Sequence, residues 1–151
     1  VSYRVTKTYD HSLGLSACFR QWRAASHCRH LHGYALAFEF VFEAEELDDR
    51  NWVVDFGGLK QLKHLLEQTF DHKLVVAGDD PYLDEICQLA GIDVASVTMF
   101  PDGVGCEKFA EYAFGLAKEV LCQLRVQDRV KVVSCECREH GGNSATYQPS
   151  K

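Results

Sequence analysis

The chain has 151 residues, 46% of them hydrophobic and 25% charged, with a formal net charge of −6 that leaves seven histidines uncounted. That length fits one domain, 1–151, with an ordinary core. The acidic balance argues against nucleic acid as a partner, and no apolar run approaches the ~18 residues of a membrane span.

In chain order, Tyr3 to Thr8 reads as a short strand, and a continuation near Leu13 to Phe19 is placed to pair with the next one. Tyr34, Leu36, Phe38, Phe40 and Phe42 then alternate with Ala35, Ala37, Glu39 and Val41, the period-2 pattern of a strand with one large apolar face. Phe56, Leu59, Leu62, Leu66 and Phe70 recur at helical intervals after Asp55, a suitable N-cap, with Gly57 and Gly58 weakening the first turn. Asp79 to Val104 (79–104), with Pro81, Gly91, Pro101 and Gly103, reads as an insertion holding a short helix around Tyr82 to Leu89 and a short strand around Val97 to Phe100. Glu107 to Leu124 is a second amphipathic helix. Lys131 to Cys137 is a last strand, with Val133, Cys135 and Cys137 expected to face one way and Val132, Ser134 and Glu136 the other.

Strands followed by grouped helices and a final strand predict an α+β fold with an antiparallel sheet covered on one face, the other face calling for a homo-oligomeric partner. The seven cysteines, Cys18, Cys28, Cys87, Cys106, Cys122, Cys135 and Cys137, are odd in number and irregularly spaced. They read as reduced thiols, and with no membrane span or apolar leader a cytoplasmic location is expected.

Chemistry concentrates in Ser26-His27-Cys28-Arg29-His30-Leu31-His32. If the strand begins before Tyr34, His30 and His32 share a face at i, i+2, as a divalent metal such as zinc requires, with His27 able to fold back from the loop. A solvated pair is the plain alternative. Cys28 reads as a metal ligand, a nucleophile or an inert packed thiol. Asp71-His72 follows the first helix; an aspartate beside an imidazole makes a general base near neutral pH, although helix ends carry such pairs as caps. Glu136 is either an exposed strand charge or an anchor for an amidine-like edge of a heterocycle.

Cys28-Arg29-His30-Leu31-His32-Gly33, then Val53-Val54-Asp55-Phe56 with Leu59-Lys60, then Asp71-His72, then Glu136 occur in an order that resembles the 6-pyruvoyl-tetrahydropterin synthase family. The spacing from Cys28 to His32 is similar to that of the 6-carboxy-tetrahydropterin synthases of queuosine biosynthesis. The resemblance implies the tunnelling fold: a four-stranded antiparallel sheet with two helices on one face, assembling into a barrel as a trimer or hexamer with intersubunit active sites. It implies a lyase acting on dihydroneopterin triphosphate, with Cys28, His72 and Asp71 moving protons and Glu136 anchoring the pterin ring. The pyruvoyl-forming branch is the alternative activity, and a non-catalytic pterin- or purine-binding oligomer the alternative class.

The resemblance also implies zinc on three histidines, one from a pattern like F-x-A-A-H and two from H-G-H. Here the first reads Leu15-Ser16-Ala17-Cys18-Phe19 and the second His32-Gly33-Tyr34. Two readings follow: zinc displaced onto His27, His30 and His32, or zinc lost with Phe19 and Tyr34 filling its place. A P-T-x-E pattern is likewise altered, to Val104-Gly105-Cys106-Glu107.

Overall fold

The longest strand, β3 (His32–Ala44), organises the computed structural model, which describes residues 1–150. Its alternation is realised as read: Leu36, Phe38, Phe40 and Phe42 are buried on one face. Two strands share one edge of β3, because each covers only half its length. β1 (Tyr3–Tyr9) runs antiparallel along the second half, from Tyr9 opposite Phe38 to Tyr3 opposite Ala44. β2 (Leu15–Phe19) runs antiparallel along the first half, from Leu15 opposite Leu36 to Phe19 opposite His32.

Further along the chain, α1 (Lys60–Phe70) precedes β4 (Lys73–Ala77), α2 (Leu83–Gly91), β5 (Val97–Phe100) and α3 (Cys106–Gln123), and β6 (Val130–His140) and β7 (Asn143–Tyr147) close the fold. The sheet therefore has seven strands in the order β5-β4-β2-β3-β6-β7, with β1 on β3, and three helices. The strands expected at Tyr3 to Thr8, Leu13 to Phe19, from Tyr34 and over Lys131 to Cys137 correspond to β1, β2, β3 and β6, joined antiparallel, and β7 adds an antiparallel strand that was not expected. The correction is the parallel extension, in which β4 pairs with β2 and β5 with β4.

The physical reason lies in Leu74-Val75-Val76-Ala77, an apolar run without alternation, as a strand buried on both faces requires. Leu74 and Val76 pack with Ile86 of α2, whereas Val75 and Ala77 join the main core. The segment from Asp79 to Val104 supplies β5 to this same sheet and α2, which packs against it.

Two local departures have simple causes. The helix expected from Phe56 begins as a 3-10 turn over Phe56–Leu59, the Asp55 carboxylate accepting from Gly57 N at 2.8 Å, and becomes α-helical only at Lys60 beyond the two glycines. In β6 a bulge intervenes: Val41 is opposite Ser134 but Phe42 is opposite Val132, so Val133 is the extra residue. Val132, not Val133, thus buries beside Phe42, while Cys135 and Cys137 bury beside Phe40 and Phe38.

Phe109 of α3 joins the layers. Its ring lies 5.1 Å from Phe19, 5.2 Å from Phe70 and 5.3 Å from Phe100, and Phe70 lies 5.1 Å from Phe38. Rings from β2, β3, β5, α1 and α3 therefore share one core, each burial contributing roughly 1.5–3 kcal/mol. The opposite face of β1, β3, β6 and β7 is polar and paired: Glu43 takes Arg4 and Lys131, Glu39 takes the Thr8 hydroxyl, and Glu136 takes Arg138.

Candidate active site

At the His32 end of β3 the apolar face changes character. Phe19, His32 and Tyr34 form a ring cluster, with centroids 5.2 Å apart for Phe19 and His32, 6.1 Å for Phe19 and Tyr34, and 5.5 Å for His32 and Tyr34. Strand pairing makes this cluster: Phe19 is directly opposite His32, and Tyr34 is the next residue on the same face. Gly33 between them is required, since a Cβ there would lie 2.9 Å from the carbonyl oxygen of Ala17. His32 donates from Nδ1 to the carbonyl of His30 at 2.7 Å, which leaves Nε2 as its free lone pair.

Cys28 sits in a 3-10 turn over His27–Arg29, capped by the Ser26 hydroxyl, with its carbonyl accepting from Gln21 N at 2.9 Å. Gln21 also donates from its side chain to the Val104 carbonyl at 2.8 Å, tying this loop to the N-terminus of α3. Arg20 fixes the loop from the other side. It forms a two-point pair with Asp80, at 2.8 and 2.7 Å, and donates to the Arg29 carbonyl at 3.1 Å. The half-buried Cys28 thiol is near enough for its charge to act on Tyr34, whose phenol is held above its ordinary value by burial first, then by Glu139, Cys28 and Cys106. Cys106, at the start of α3, in turn lies against Cys137, whose thiol is pushed far up by that hydrogen bond and by burial.

Asp71 and His72 form a compact dyad. The Asp71 carboxylate accepts from Ser16 N at 3.1 Å and from His72 Nδ1 at 2.9 Å, while His72 N donates to the Ser16 carbonyl at 2.7 Å. His72 holds φ +58, a left-handed conformation uncommon for a residue with a side chain, and its imidazole is 85% exposed. The two backbone contacts to Ser16 maintain that conformation. Because Ala17 is opposite Lys73, the dyad is level with Ser16, roughly 10 Å along β2 from the Phe19 position. Among the described residues no hydrogen bond joins it to Cys28.

The two glutamates of β6 have different neighbours. Glu136 is opposite Glu39 on the polar face and accepts from Arg138 Nε at 2.6 Å and from Ser144. Glu139, which the sequence did not single out, lies two residues beyond Cys137, and its charge acts on both Tyr34 and Cys137. The strand's continuation to His140, with an irregularity between Arg138 and His140, sets that geometry; a reading that ended the strand at Cys137 had no means of finding it. His140 was missed for the same reason, and its ring lies 6.0 Å from Tyr34.

The structure does not bring His27, His30 and His32 together. β3 begins at His32, so His30 is the cap of the preceding turn rather than a strand residue, and both His27 and His30 are exposed. Among the described residues no three His, Cys, Asp or Glu side chains form a group that could hold a metal ion. No helix among them is long and apolar enough to cross a membrane.

A Cys-containing turn, an Asp-His dyad beside β2 and a ring cluster thus lie on the mixed sheet of a small α+β fold. Residues 5–150 match the family model of 6-pyruvoyl tetrahydropterin synthase. The chain belongs to that family. It is 26% identical over 140 residues to the 6-carboxy-5,6,7,8-tetrahydropterin synthase of Aquifex aeolicus, covering 89% of this chain and 84% of the relative. The Rickettsia conorii protein of the same name is 37% identical over 54 residues, 35% of this chain and 39% of that one. In fold, the chain is similar to an uncharacterized protein of Wolinella succinogenes, with TM-score 0.80, 20% identity and 99% of both chains covered. It is also similar to the 6-pyruvoyl tetrahydropterin synthase of Plasmodium falciparum, with TM-score 0.69, 14% identity and 98% of both chains covered.

The residues present do not fit the zinc that this family implies. Of the three positions that correspond to its histidines, Phe19 has no donor atom, Tyr34 offers a protonated phenol, and only His32 offers an imidazole nitrogen.

Proposed function

We infer that this chain is a lyase acting on the side chain of a pterin triphosphate, dihydroneopterin triphosphate being the first candidate and a 6-carboxy-tetrahydropterin the expected product. The observation that carries this reading is the Asp71-His72 dyad: an exposed imidazole in a strained backbone conformation, clamped at Ser16 and oriented by a carboxylate. Its Nδ1 hydrogen donates to Asp71, so Nε2 is free to take a proton, and Asp71 stabilises the imidazolium that results. Cys28, anchored through Ser26 and Gln21, is the second proton-transfer group. Since dyad and thiol stand apart within one chain, the reading has them meet across subunits of a homo-oligomer, trimer or hexamer.

For the ring anchor, the sequence points to Glu136, but its pairing with Arg138 on the polar face favours Glu139, whose charge acts on Tyr34. A carboxylate there accepts two hydrogen bonds from the amidine-like edge of a pterin. Mass spectrometry after incubation with dihydroneopterin triphosphate tests the reaction; absence of any product from folded, assembled protein overturns it. The ring cluster at the Phe19 position favours a second reading, a pterin binder without turnover, which is distinguished by ring binding that depends on Glu139 in the same inactive protein.

A further inference from the structure

The ring cluster is more than a gap filled with bulk. Phe19 is 1% exposed and stacks edge-on against Phe109 at 5.1 Å, so its side of the cluster is continuous with the hydrophobic core. His32 and Tyr34 are only half-buried, stand edge to face at 5.5 Å, and present the two polar atoms of the cluster, His32 Nε2 and the Tyr34 hydroxyl. Around Tyr34 lie Cys28, Cys106 and Glu139, with the ring of His140 at 6.0 Å.

This pair of polar atoms has a definite complement. A phenol donates a hydrogen bond, and an imidazole nitrogen whose partner nitrogen is already committed to His30 accepts one. An aliphatic hydroxyl does both at once, accepting from the phenol and donating to the imidazole.

We propose that the Phe19, His32 and Tyr34 cluster replaces a zinc site in this chain, and that Tyr34 and His32 hold, by direct hydrogen bonds, a side-chain hydroxyl of a 6-substituted pterin. The inference rests on the reading of the site as a pterin site and gives it a metal-independent way to grip the side chain. Phe19 is the positioning residue: it closes the space an ion would take and holds both rings from behind. Tyr34 and His32 are the binding residues.

The test has a metal arm and a ligand arm. Purified wild-type protein equilibrated with zinc and then dialysed is expected to retain far less than one zinc per chain, and cobalt added in its place to give no visible tetrahedral bands. Stoichiometric zinc that is lost in His32→Ala overturns the proposal. In the ligand arm, calorimetry compares neopterin, which carries a trihydroxypropyl side chain, with unsubstituted pterin. The isosteric Tyr34→Phe is expected to weaken neopterin by about 5- to 10-fold, one hydrogen bond's worth, and to leave unsubstituted pterin unchanged. Equal loss for both ligands, or none for neopterin, overturns the assigned role of the hydroxyl. A wild-type protein that binds neither ligand defeats the pterin reading itself, whatever the metal result. Finally, Phe19→His with Tyr34→His is expected to gain the cobalt spectrum; a folded double variant that takes no cobalt contradicts the placement of the metal position on these three residues.

Discussion

The two ends of β3 present the same face to the same side of the sheet and do different work. From Leu36 to Phe42 that face is sealed by α1 and α3, and every large side chain is at most 1% exposed. At Tyr34 and His32, two and four residues earlier, the cover is Phe19 of β2 with Phe109 of α3 behind it, and the side chains are half open. A strand alternation continuous along its whole length thus supplies a core at one end and a site at the other. What separates them is the reach of the helices, not the strand's own residues.

The widest contrast is in stability. Phe40→Ala, which empties a fully enclosed position, is expected to cost about 3–5 kcal/mol in denaturant unfolding. Tyr34→Phe on the same face is expected to leave the unfolding midpoint nearly unchanged; a comparable loss there would erase the distinction between the two ends. Catalysis should show the reverse order. Cys28→Ala is expected to lower turnover of dihydroneopterin triphosphate by about 10²- to 10⁴-fold while the fold is retained, and Phe40→Leu to affect turnover only in proportion to folded protein.

A smaller effect tests what holds the open end in place. Asp80→Ala leaves the Arg20 guanidinium without its two-point partner beneath the Cys28 loop, and a loss of about 1–3 kcal/mol is expected, with faster amide exchange at Cys28 and Arg29. Exchange unchanged at those two amides would detach the loop from this pair.

The smallest effect lies on the polar face. Lys131 and Arg4 together hold the Glu43 carboxyl down from its ordinary value of 4.5 to about 2. A carboxyl lowered by folding contributes stability that is present above the unfolded value and is lost as pH falls through the folded one. Wild-type protein should therefore lose more stability than Glu43→Gln between about pH 4.5 and 2, and the two should be parallel above that window.

How much of this was legible depends on how local each signal is. The alternation from Tyr34 to Phe42 and the stripe on α3 are local patterns, and both elements stand where they were read. Leu74 to Ala77 escaped because a strand buried on both faces has no alternation to read, and β7 because Asn143 to Tyr147, of which only Ala145 and Tyr147 pack on the core, offers too short an apolar pattern. The reversal of Val132 and Val133 came from a bulge, which is a property of the pairing with β3 rather than of either strand alone. Among the site residues, Cys28 and the Asp71-His72 dyad were visible as motifs. Glu139 and His140 were not, since the strand was read only as far as Cys137, short of both.

The sequence by itself determined the apolar faces, the adjacency of Asp71 and His72, and the departure of Phe19 and Tyr34 from the histidine pattern that the family resemblance implies. These are matters of residue type and spacing, which chain geometry converts directly into local structure. Only the tertiary structure decided that Phe109 backs the Phe19 ring, that His30 stands outside the strand, and that β6 runs on to Glu139 and His140. Each of those follows from how whole strands pair and whole faces pack, not from any short stretch of residues.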